Sequence, residues 1–287
     1  MPTEKLRVAV QKSGRLSEKS LLLLEECGIS LPNGSQKLLA AASNFPLEVL
    51  FLRDDDIPQY VSDGVADAGI LGENVVLEKQ KEVETVDPLG FAQCRLSLAT
   101  RREEAYSGPQ WFNGRKIATS YPVILTRYLQ EQGIKAEIEE ISGSVEIAPG
   151  IGLADAIFDI VSSGSTLMGN GLVEVETVMR SQAVLVAHPG MSAAKRLLLE
   201  KLLFRIRAVK NARKNKYILL NTPNSALDRI CQILPGIKSP TILPLAMDGW
   251  SSLHSVVHED EFWAIIDQLK EAGAQGIVVC PIEKMIL

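Results

Sequence analysis

Hydroxyl-bearing and glycine residues are concentrated at residues 162–166 (Ser-Ser-Gly-Ser-Thr), directly after an apolar run that contains one acid, Asp159. An apolar, β-branched run that ends in a Gly/Ser turn is typical of a buried strand entering a loop. Ser and Thr ahead of Leu167 are favoured helix N-cap residues, so the loop is predicted to open a helix. Backbone N–H groups and hydroxyls in such a loop suit a phosphate monoester. The Gly-Lys-Ser/Thr of the Walker P-loop is missing.

Two carboxylates accompany this loop, Asp155 and Asp159. A phosphate repels a carboxylate, so we expect both to accept hydrogen bonds from vicinal hydroxyls instead. A phosphate and a diol a few ångströms apart describe a ribose 5-phosphate. An ordinary strand–turn–helix corner with a capping serine explains the same residues equally well. From the loop alone, both interpretations stay open.

The bulk properties favour a soluble globular chain with more than one domain. It has 287 residues, 46% hydrophobic and 23% charged, and a net charge of −5. The length suggests roughly two domains, and three small ones also fit. The negative balance argues against a general nucleic-acid or membrane binder, so a phosphorylated substrate needs local basic clusters. Four dispersed cysteines, no apolar leader and no stretch of transmembrane length predict a reduced, cytoplasmic protein.

Cationic side chains follow the first two clear strands. Lys12 and Arg15 come after the strand 6–10, and Arg53 comes after the strand 47–52. The carboxyl edge of an open α/β sheet is where ligands bind, so we expect these side chains to meet a ligand. The alternative interpretation is that these side chains are solvated charged residues in turns and bind no ligand.

A third short strand, 68–74, ends in a glycine turn that brings Gly72 and Glu73 to the same edge. The acids 54–56 are predicted to stabilise the N-terminus of a following helix, 57–65. The alternation of short strands and helices predicts a mainly parallel sheet.

A second lobe is predicted beyond the strand 94–100, with the crossover in the polar stretch 101–111. Its features include Tyr121 before a helix at 122–132, and a turn bearing Glu146. The apolar run 182–188 is predicted to carry the chain back to the first lobe.

The last part of the chain, from Tyr217 to Cys280, has the predicted order strand–helix–strand–strand–helix–strand. This order is that of a ferredoxin-like module. It follows a long helix at 192–209, whose stripe of Leu197, Leu198, Leu202 and Ile206 is expected to pack into a core. The module has no nucleophile–base constellation, so it is predicted to bind or assemble rather than catalyse.

Taken together, the motifs resemble the ATP phosphoribosyltransferase family in its long form. The resemblance covers nearly the whole chain, and its motifs follow the family's order. They are Gln11–Arg15, Arg53–Pro58, Gly69–Asn74, Cys94–Ala99, Ala118–Pro122, Gly143–Glu146, Asp159–Leu167, Ser239–Leu245 and Pro281–Lys284.

The resemblance implies an α/β enzyme that joins N1 of ATP adenine to C1 of 5-phosphoribosyl 1-diphosphate, the first step of histidine biosynthesis, with Mg²⁺ required. It implies two lobes like those of periplasmic binding proteins and a ferredoxin-like regulatory domain. We expect lobe I at 1–100 with 182–212, lobe II at 101–181 and the regulatory domain at 213–287. The family's long form also implies feedback inhibition by histidine and interconversion of dimers and hexamers.

These implications assign roles to the candidate residues. The 5-phosphate is given to Ser162, Ser163, Gly164, Ser165 and Thr166. The ribose and reacting centre are given to Asp155, Asp159 and Glu146, with Mg²⁺ mainly on the substrate phosphates. ATP and diphosphate are given to Lys12, Arg15, Arg53, Gly72, Glu73, Arg95 and Tyr121. Tyr121 would stack on adenine, although an aromatic side chain in a turn is as often a packing residue. The resemblance places histidine near Asn221 and Thr241, between modules of neighbouring subunits.

Two other classes of protein remain as alternatives. A two-lobe solute-binding protein closes on its ligand by a hinge, although it needs a secretory signal and no phosphate cradle beside carboxylates. A ligand-sensing regulator is the other, although no helix-turn-helix DNA reader precedes the lobes.

Overall fold

The computed structural model describes residues 4–32, 38–234 and 236–287. The described strands are β1 (Leu6–Gln11), β2 (Leu39–Ala41), β3 (Leu47–Leu52), β4 (Ala68–Gly72), β5 (Glu84–Pro88), β6 (Cys94–Arg101), β7 (Lys116–Thr119), β8 (Glu137–Glu140), β9 (Ala156–Val161), β10 (Leu172–Ser181), β11 (Ala183–Ala187), β12 (Asn215–Pro223), β13 (Thr241–Pro244), β14 (Trp250–His258) and β15 (Gln275–Pro281). The described helices are α1 (Arg15–Glu26), α2 (Ile57–Ser62), α3 (Glu73–Lys79), α4 (Pro122–Glu131), α5 (Ser165–Gly169), α6 (Ala193–Arg213), α7 (Leu227–Ile233) and α8 (Glu259–Glu271).

The chain divides into two compact units. The first holds the described residues up to Glu25 and from Ile29 to Leu199, and the second holds Glu26–Gly28 and the chain from Glu200 onward. Two sheets lie in the first unit and one in the second. None of the helices in the described ranges is long and apolar enough to cross a membrane.

The six-stranded sheet has the order β2-β3-β1-β4-β11-β5. Strands β3, β1 and β4 are parallel, whereas β2 pairs antiparallel with β3, and β11 pairs antiparallel with both β4 and β5. The prediction of a parallel sheet is correct for the three strands from which it was drawn, but the sheet as a whole is mixed. Strand β11 is the returning segment of the chain and enters the sheet from the opposite end. Its five residues are all buried, so it fills the space between two strands that run the other way.

The five-stranded sheet has the order β10-β6-β9-β7-β8. One face packs Leu98, Phe112 and Phe158 beside α4, and the other packs Ile157 and Leu167 beside α5. Strand β6 already belongs to this sheet, so the chain crosses between β5 and β6 and not in the predicted stretch 101–111. The crossover signal in that polar stretch belongs instead to a loop within the second lobe. The return lies between β10 and β11, as predicted.

The second unit contains a four-stranded sheet with the order β13-β14-β12-β15, in which every pair is antiparallel. Helices α7 and α8 contribute Ile230 and Leu269 to a core with Leu220 and Leu253. The element order is β-α-β-β-α-β, which confirms the ferredoxin-like prediction. The opposite face of the sheet carries the side chains that alternate with this core.

The long helix α6 spans 21 residues and differs in detail from its predicted stripe. Leu202 and Ile206 are buried as expected, but Leu197 is 53% exposed and Leu199 is buried in its place. The sequence offers three consecutive leucines at 197–199, so the apolar pattern alone did not fix which of them faces inward.

Candidate active site

The loop 162–166 lies at the carboxyl end of β9 and leads into α5. The helix N-cap is Gly164, which has a left-handed backbone (φ +80°) and no side-chain capping bond. The prediction that Ser or Thr caps this helix was wrong, because the turn needs a positive φ that glycine adopts without strain. The Ser163 hydroxyl instead lies 2.9 Å from the Ser165 hydroxyl and accepts from the Ser165 N–H at 3.4 Å. The hydroxyl-bearing residues of the loop are all exposed and open to a ligand.

Arg95 on β6 holds the start of this loop. Its Nε and Nη2 each donate to a different oxygen of Glu174 at 2.5 Å, and its Nη1 donates to the Ser162 carbonyl at 3.1 Å. Glu174 also accepts from the hydroxyls of Ser97 (2.7 Å) and Thr177 (3.2 Å). These bonds, above all those from Arg95, lower the pKa of the Glu174 carboxyl to about 2. Arg95 is thus an ion-paired anchor of the loop, and its predicted role in offsetting the charge of ATP and diphosphate stays a prediction.

Of the three candidate carboxylates, Asp159 and Glu146 lie near each other and Asp155 lies apart. Asp159 lies near the carboxyl end of β9 and accepts from the Ile160 N–H at 2.7 Å. Burial, and then the charge of nearby Glu146, raise the pKa of the Asp159 carboxyl. Asp155 precedes the first residue of β9, and its carboxylate accepts from the Lys116 N–H at 2.8 Å. A strand of this length separates Asp155 from the loop by roughly 20 Å, so the structure does not bring it to the predicted ribose site.

The predicted cations lie at the carboxyl edge of the six-stranded sheet. Gln11 and Leu52 pair at the ends of β1 and β3, so the turns that carry Lys12 and Arg53 are adjacent. Lys12, Arg15 and Arg53 are exposed, and none forms an ion pair with a residue in the described ranges. Unpaired cations at one edge leave a positive local field in a chain of negative net charge, which suits phosphates.

Tyr121 lies close to residues of both sheets. Its hydroxyl accepts a hydrogen bond from Asn74 Nδ2 at 3.3 Å, and its pKa is raised by burial and then by the charges of Asp159, Asp54 and Asp55. Asp159 belongs to the five-stranded sheet, whereas Asp54 and Asp55 follow β3 of the other. The tyrosine therefore lies between the acid of the loop strand and the edge that carries the cations.

Gly72 and Glu73 form the turn that positions Asn74. A Cβ on Gly72 would lie 2.3 Å from Asn74 Oδ1, so only glycine allows the amide to fold back there. Ser181 Oγ accepts from the Asn74 N–H (3.1 Å) and donates to its Oδ1 (2.9 Å). Glu73 also lines a cavity of ≈ 250 Å³ beside the two points where the chain crosses between the sheets, near Cys94 and Gln182.

Sequence reasoning did not identify several residues that organise this region: Asn74, Glu78, Glu174 and Ser181. Their types are ordinary, and each acts through a partner more than 40 positions away. No local pattern reveals such pairs. A larger cavity of ≈ 840 Å³ lies along α3 and α4 and contains none of the predicted site residues. Its walls are mostly apolar, so we assign the chemistry to the residues around Tyr121 and not to this groove.

Asn221 and Thr241, the residues that the resemblance gives to histidine, lie in the C-terminal sheet. Asn221 pairs with Ser252 and Thr241 pairs with His254, on neighbouring strands. The His254 ring connects the Tyr217 hydroxyl (2.6 Å) and the Ser252 hydroxyl (3.2 Å). By the alternation of side chains, these residues share the face of the sheet opposite the helices.

Comparison with known proteins decides the family. The family model described as ATP phosphoribosyltransferase matches residues 53–208, and the model described as HisG, C-terminal domain, matches residues 212–284. The chain belongs to the ATP phosphoribosyltransferase family. It is 62% identical over 281 residues to an ATP phosphoribosyltransferase of Cytophaga hutchinsonii, with 98% of each chain covered. It is 58% identical to one of Bacteroides fragilis, with 98% of this chain and all of the other covered.

Solved structures agree with the fold. The ATP phosphoribosyl transferase (HisG:HisZ) complex from Thermotoga maritima contains a chain 30% identical to this one, with a TM-score of 0.60 over 70% of this chain and 98% of that one. A histidine kinase sensor domain with similarity to periplasmic binding proteins is 13% identical at a TM-score of 0.50, over 74% of this chain and 92% of the other, and shows the fold alone. The two-lobe prediction is thereby confirmed. As a member of its family, the chain is a glycosyltransferase of histidine biosynthesis that uses ATP, which decides against the solute-binding and regulatory alternatives.

The resemblance implies a magnesium ion held mainly by substrate, an expectation that can be compared with the carboxylates of the described ranges. Within the described ranges, no three His, Cys, Asp or Glu side chains come together in a way that could hold a metal. Glu146 and Asp159, however, lie near enough for the charge of one to affect the pKa of the other. One or two carboxylates beside substrate phosphates is the donor set that Mg²⁺ prefers.

Proposed function

We propose that the chain transfers a phosphoribosyl group from 5-phosphoribosyl 1-diphosphate to N1 of ATP, with release of diphosphate. The observation that carries this proposal is the exposed loop 162–166, anchored by Arg95, at the end of the strand that carries the half-buried acid Asp159. A phosphate cradle next to a carboxylate suits a ribose 5-phosphate, and unpaired cations on the other sheet suit the phosphates of ATP and the leaving group. The family membership supports the same pair of substrates.

The reaction is a substitution at the anomeric carbon, so its transition state has oxocarbenium character and a departing diphosphate. The Ser163, Ser165 and Thr166 hydroxyls and the loop N–H groups bind the 5-phosphate. Asp159 accepts from the ribose hydroxyls, and its negative charge, with that of Glu146, stabilises positive charge on the ring.

The other half of the site orients ATP. Tyr121 stacks on adenine, while Lys12, Arg15 and Arg53 offset the negative charge of ATP and of the diphosphate. Adenine N1 already has a lone pair, so the reaction needs no strong base. Holding the two substrates in line can contribute on the order of 7–11 kcal/mol to lowering the barrier. Glu146 or Asp159, together with the substrate phosphates, would hold a Mg²⁺ ion, which would supply positive charge to offset that of the diphosphate.

The direct test mixes the purified protein with ATP, 5-phosphoribosyl 1-diphosphate and Mg²⁺, and follows the absorbance of N1-substituted adenine and the release of diphosphate. Both should appear together and require both substrates. Thr166→Ala should raise the KM for the sugar diphosphate about tenfold and leave the KM for ATP within twofold, since one charge-assisted hydrogen bond is lost. Equal changes in both constants would remove the phosphate-cradle assignment.

We also propose that histidine inhibits the enzyme through the C-terminal module and that subunits assemble into dimers and hexamers. A free amino acid needs donors for its carboxylate and acceptors for its ammonium group, and Asn221 and Thr241 supply both beside strand edges. Deleting residues 217–287 should give an enzyme that histidine no longer inhibits. Asn221→Ala in the full chain is the milder version, and it should weaken inhibition without changing the uninhibited rate.

A further inference from the structure

Helix α4 begins with its free backbone donors capped by a residue of helix α3, which follows strand β4 of the six-stranded sheet. The carboxylate of Glu78, on α3, accepts from the Val123 N–H and the Ile124 N–H, each at 3.0 Å. Pro122 has no N–H, and the Tyr121 N–H donates to Thr119 Oγ1 at 2.8 Å. All donors of the first turn are thus satisfied, although the N-cap residue supplies no side-chain bond of its own. A buried carboxylate at the positive end of a helix is well stabilised.

This contact fixes the position of Tyr121 relative to the six-stranded sheet. Tyr121 is the N-cap of α4, so its backbone moves with the turn that Glu78 holds. Its hydroxyl makes a second bond to the same helix α3, accepting from Asn74 Nδ2 at 3.3 Å. The loop 162–166 has a separate anchor, Arg95 and Glu174, both within the five-stranded sheet. The two substrate sites therefore have independent supports.

We propose that Glu78 is a positioning residue for ATP. By capping α4 from α3, it holds Tyr121 at the edge that carries the unpaired cations, so that adenine stacks while the ATP phosphates reach those cations. Affinity for ATP then depends on a carboxylate that touches neither substrate. The inference rests on the proposed function, and in particular on the assignment of Tyr121 to adenine.

The test is Glu78→Gln in the full-length protein, with Glu82→Gln as the matched control. Glu82 follows α3, is exposed and forms no ion pair with a residue in the described ranges, so its change removes the same charge without removing a cap. Glu78→Gln should raise the KM for ATP about tenfold and leave the KM for the sugar diphosphate and kcat within twofold, because one charge-assisted bond is lost and an amide faces an N–H. Hydrogen exchange of the Val123 and Ile124 amides should also become faster.

The outcomes separate the two levels of the proposal. Equal kinetics for the Glu78 and Glu82 variants, with wild-type turnover intact, overturn the inference alone. An equal rise in both KM values also overturns it, since that is the signature of a general structural loss. A wild-type protein without turnover overturns the proposed function, while the amide exchange still reports whether Glu78 caps α4. If Glu78→Gln does not fold, Glu78→Asp replaces it, with an expected rise of about threefold in the KM for ATP.

Discussion

Replacing Glu174 with Gln should weaken the hold of Arg95 on the loop 162–166. Glu174 receives two bonds from Arg95, which in turn holds the Ser162 carbonyl. The carboxyl pKa falls from 4.5 to about 2, which corresponds to roughly 3 kcal/mol of interaction at about 1.4 kcal/mol per pKa unit. Both side chains are 23–28% exposed, so screening by water reduces the net contribution to about 1–3 kcal/mol.

The variant should therefore lose about 1–3 kcal/mol of unfolding free energy at pH 7 and bind the sugar diphosphate about tenfold more weakly. The KM for ATP should stay within twofold, because Tyr121 and the cations lie elsewhere. Glu176→Gln is the matched control: it removes an acid of the same strand that accepts from the Tyr106 hydroxyl and has no bond to the loop. Urea unfolding and steady-state kinetics on both variants measure the two effects. Equal KM values for the sugar diphosphate in both variants would refute the view that Arg95 and Glu174 support the loop.

The same pair gives a pH dependence of known sign. The folded-state pKa of Glu174 lies below its unfolded value, so between the two the unfolded chain binds more protons. The stabilisation is fully present above about pH 4.5 and is lost as the pH falls towards about 2. The difference in unfolding free energy between wild type and Glu174→Gln should accordingly shrink over that range.

Three further changes test other parts of the site. Asp155→Asn should cost about 1 kcal/mol of stability, measured by urea unfolding, because it weakens the bond from the Lys116 N–H. Both KM values should stay within twofold of wild type. A rise in the KM for the sugar diphosphate alone would restore the ribose role of Asp155. In the wild type, kcat/KM should fall as the pH falls through the pKa of the Asp159 carboxyl, which is raised above 3.8. Asp159→Asn should abolish this acidic limb of the pH profile. An unchanged acidic limb would show that another group titrates there. Gly72→Ala should lower the melting temperature, at a cost of about 1–3 kcal/mol, by displacing the Asn74 amide; an unaltered melting curve would show that the turn relaxes freely.

Local signals in the sequence were enough for most elements and for the loop itself. The strand 47–52 and the start of α4 at Pro122 agree with the structure, because periodicity and proline placement act within a few residues. Partners distant in the chain decide three other features. These are the direction of the strands, the crossing point before Cys94 and the choice of the leucine of α6 that faces inward. The partners of Arg95 and Asp155 could not be predicted for the same reason. Each is a charged residue of a plausible type, and its use was decided by a partner, Glu174 or the Lys116 N–H, that no spacing rule identifies.

The neighbouring positions of β6 and β10 have a consequence for how the chain could be rearranged. These strands are the first and last of the five-stranded sheet in chain order, and Cys94 pairs directly with Ser181 at their ends. Residues 94–181 form one continuous stretch of the chain, and the Cα atoms at its two ends lie side by side, about 5 Å apart. A short glycine bridge from residue 93 to residue 182 could therefore excise that stretch, and the released piece could be rejoined end to end. The lobe that carries the loop 162–166 and Tyr121 thus has the form of a removable insert, which allows its folding and phosphate binding to be studied apart from the lobe that carries Lys12, Arg15 and Arg53.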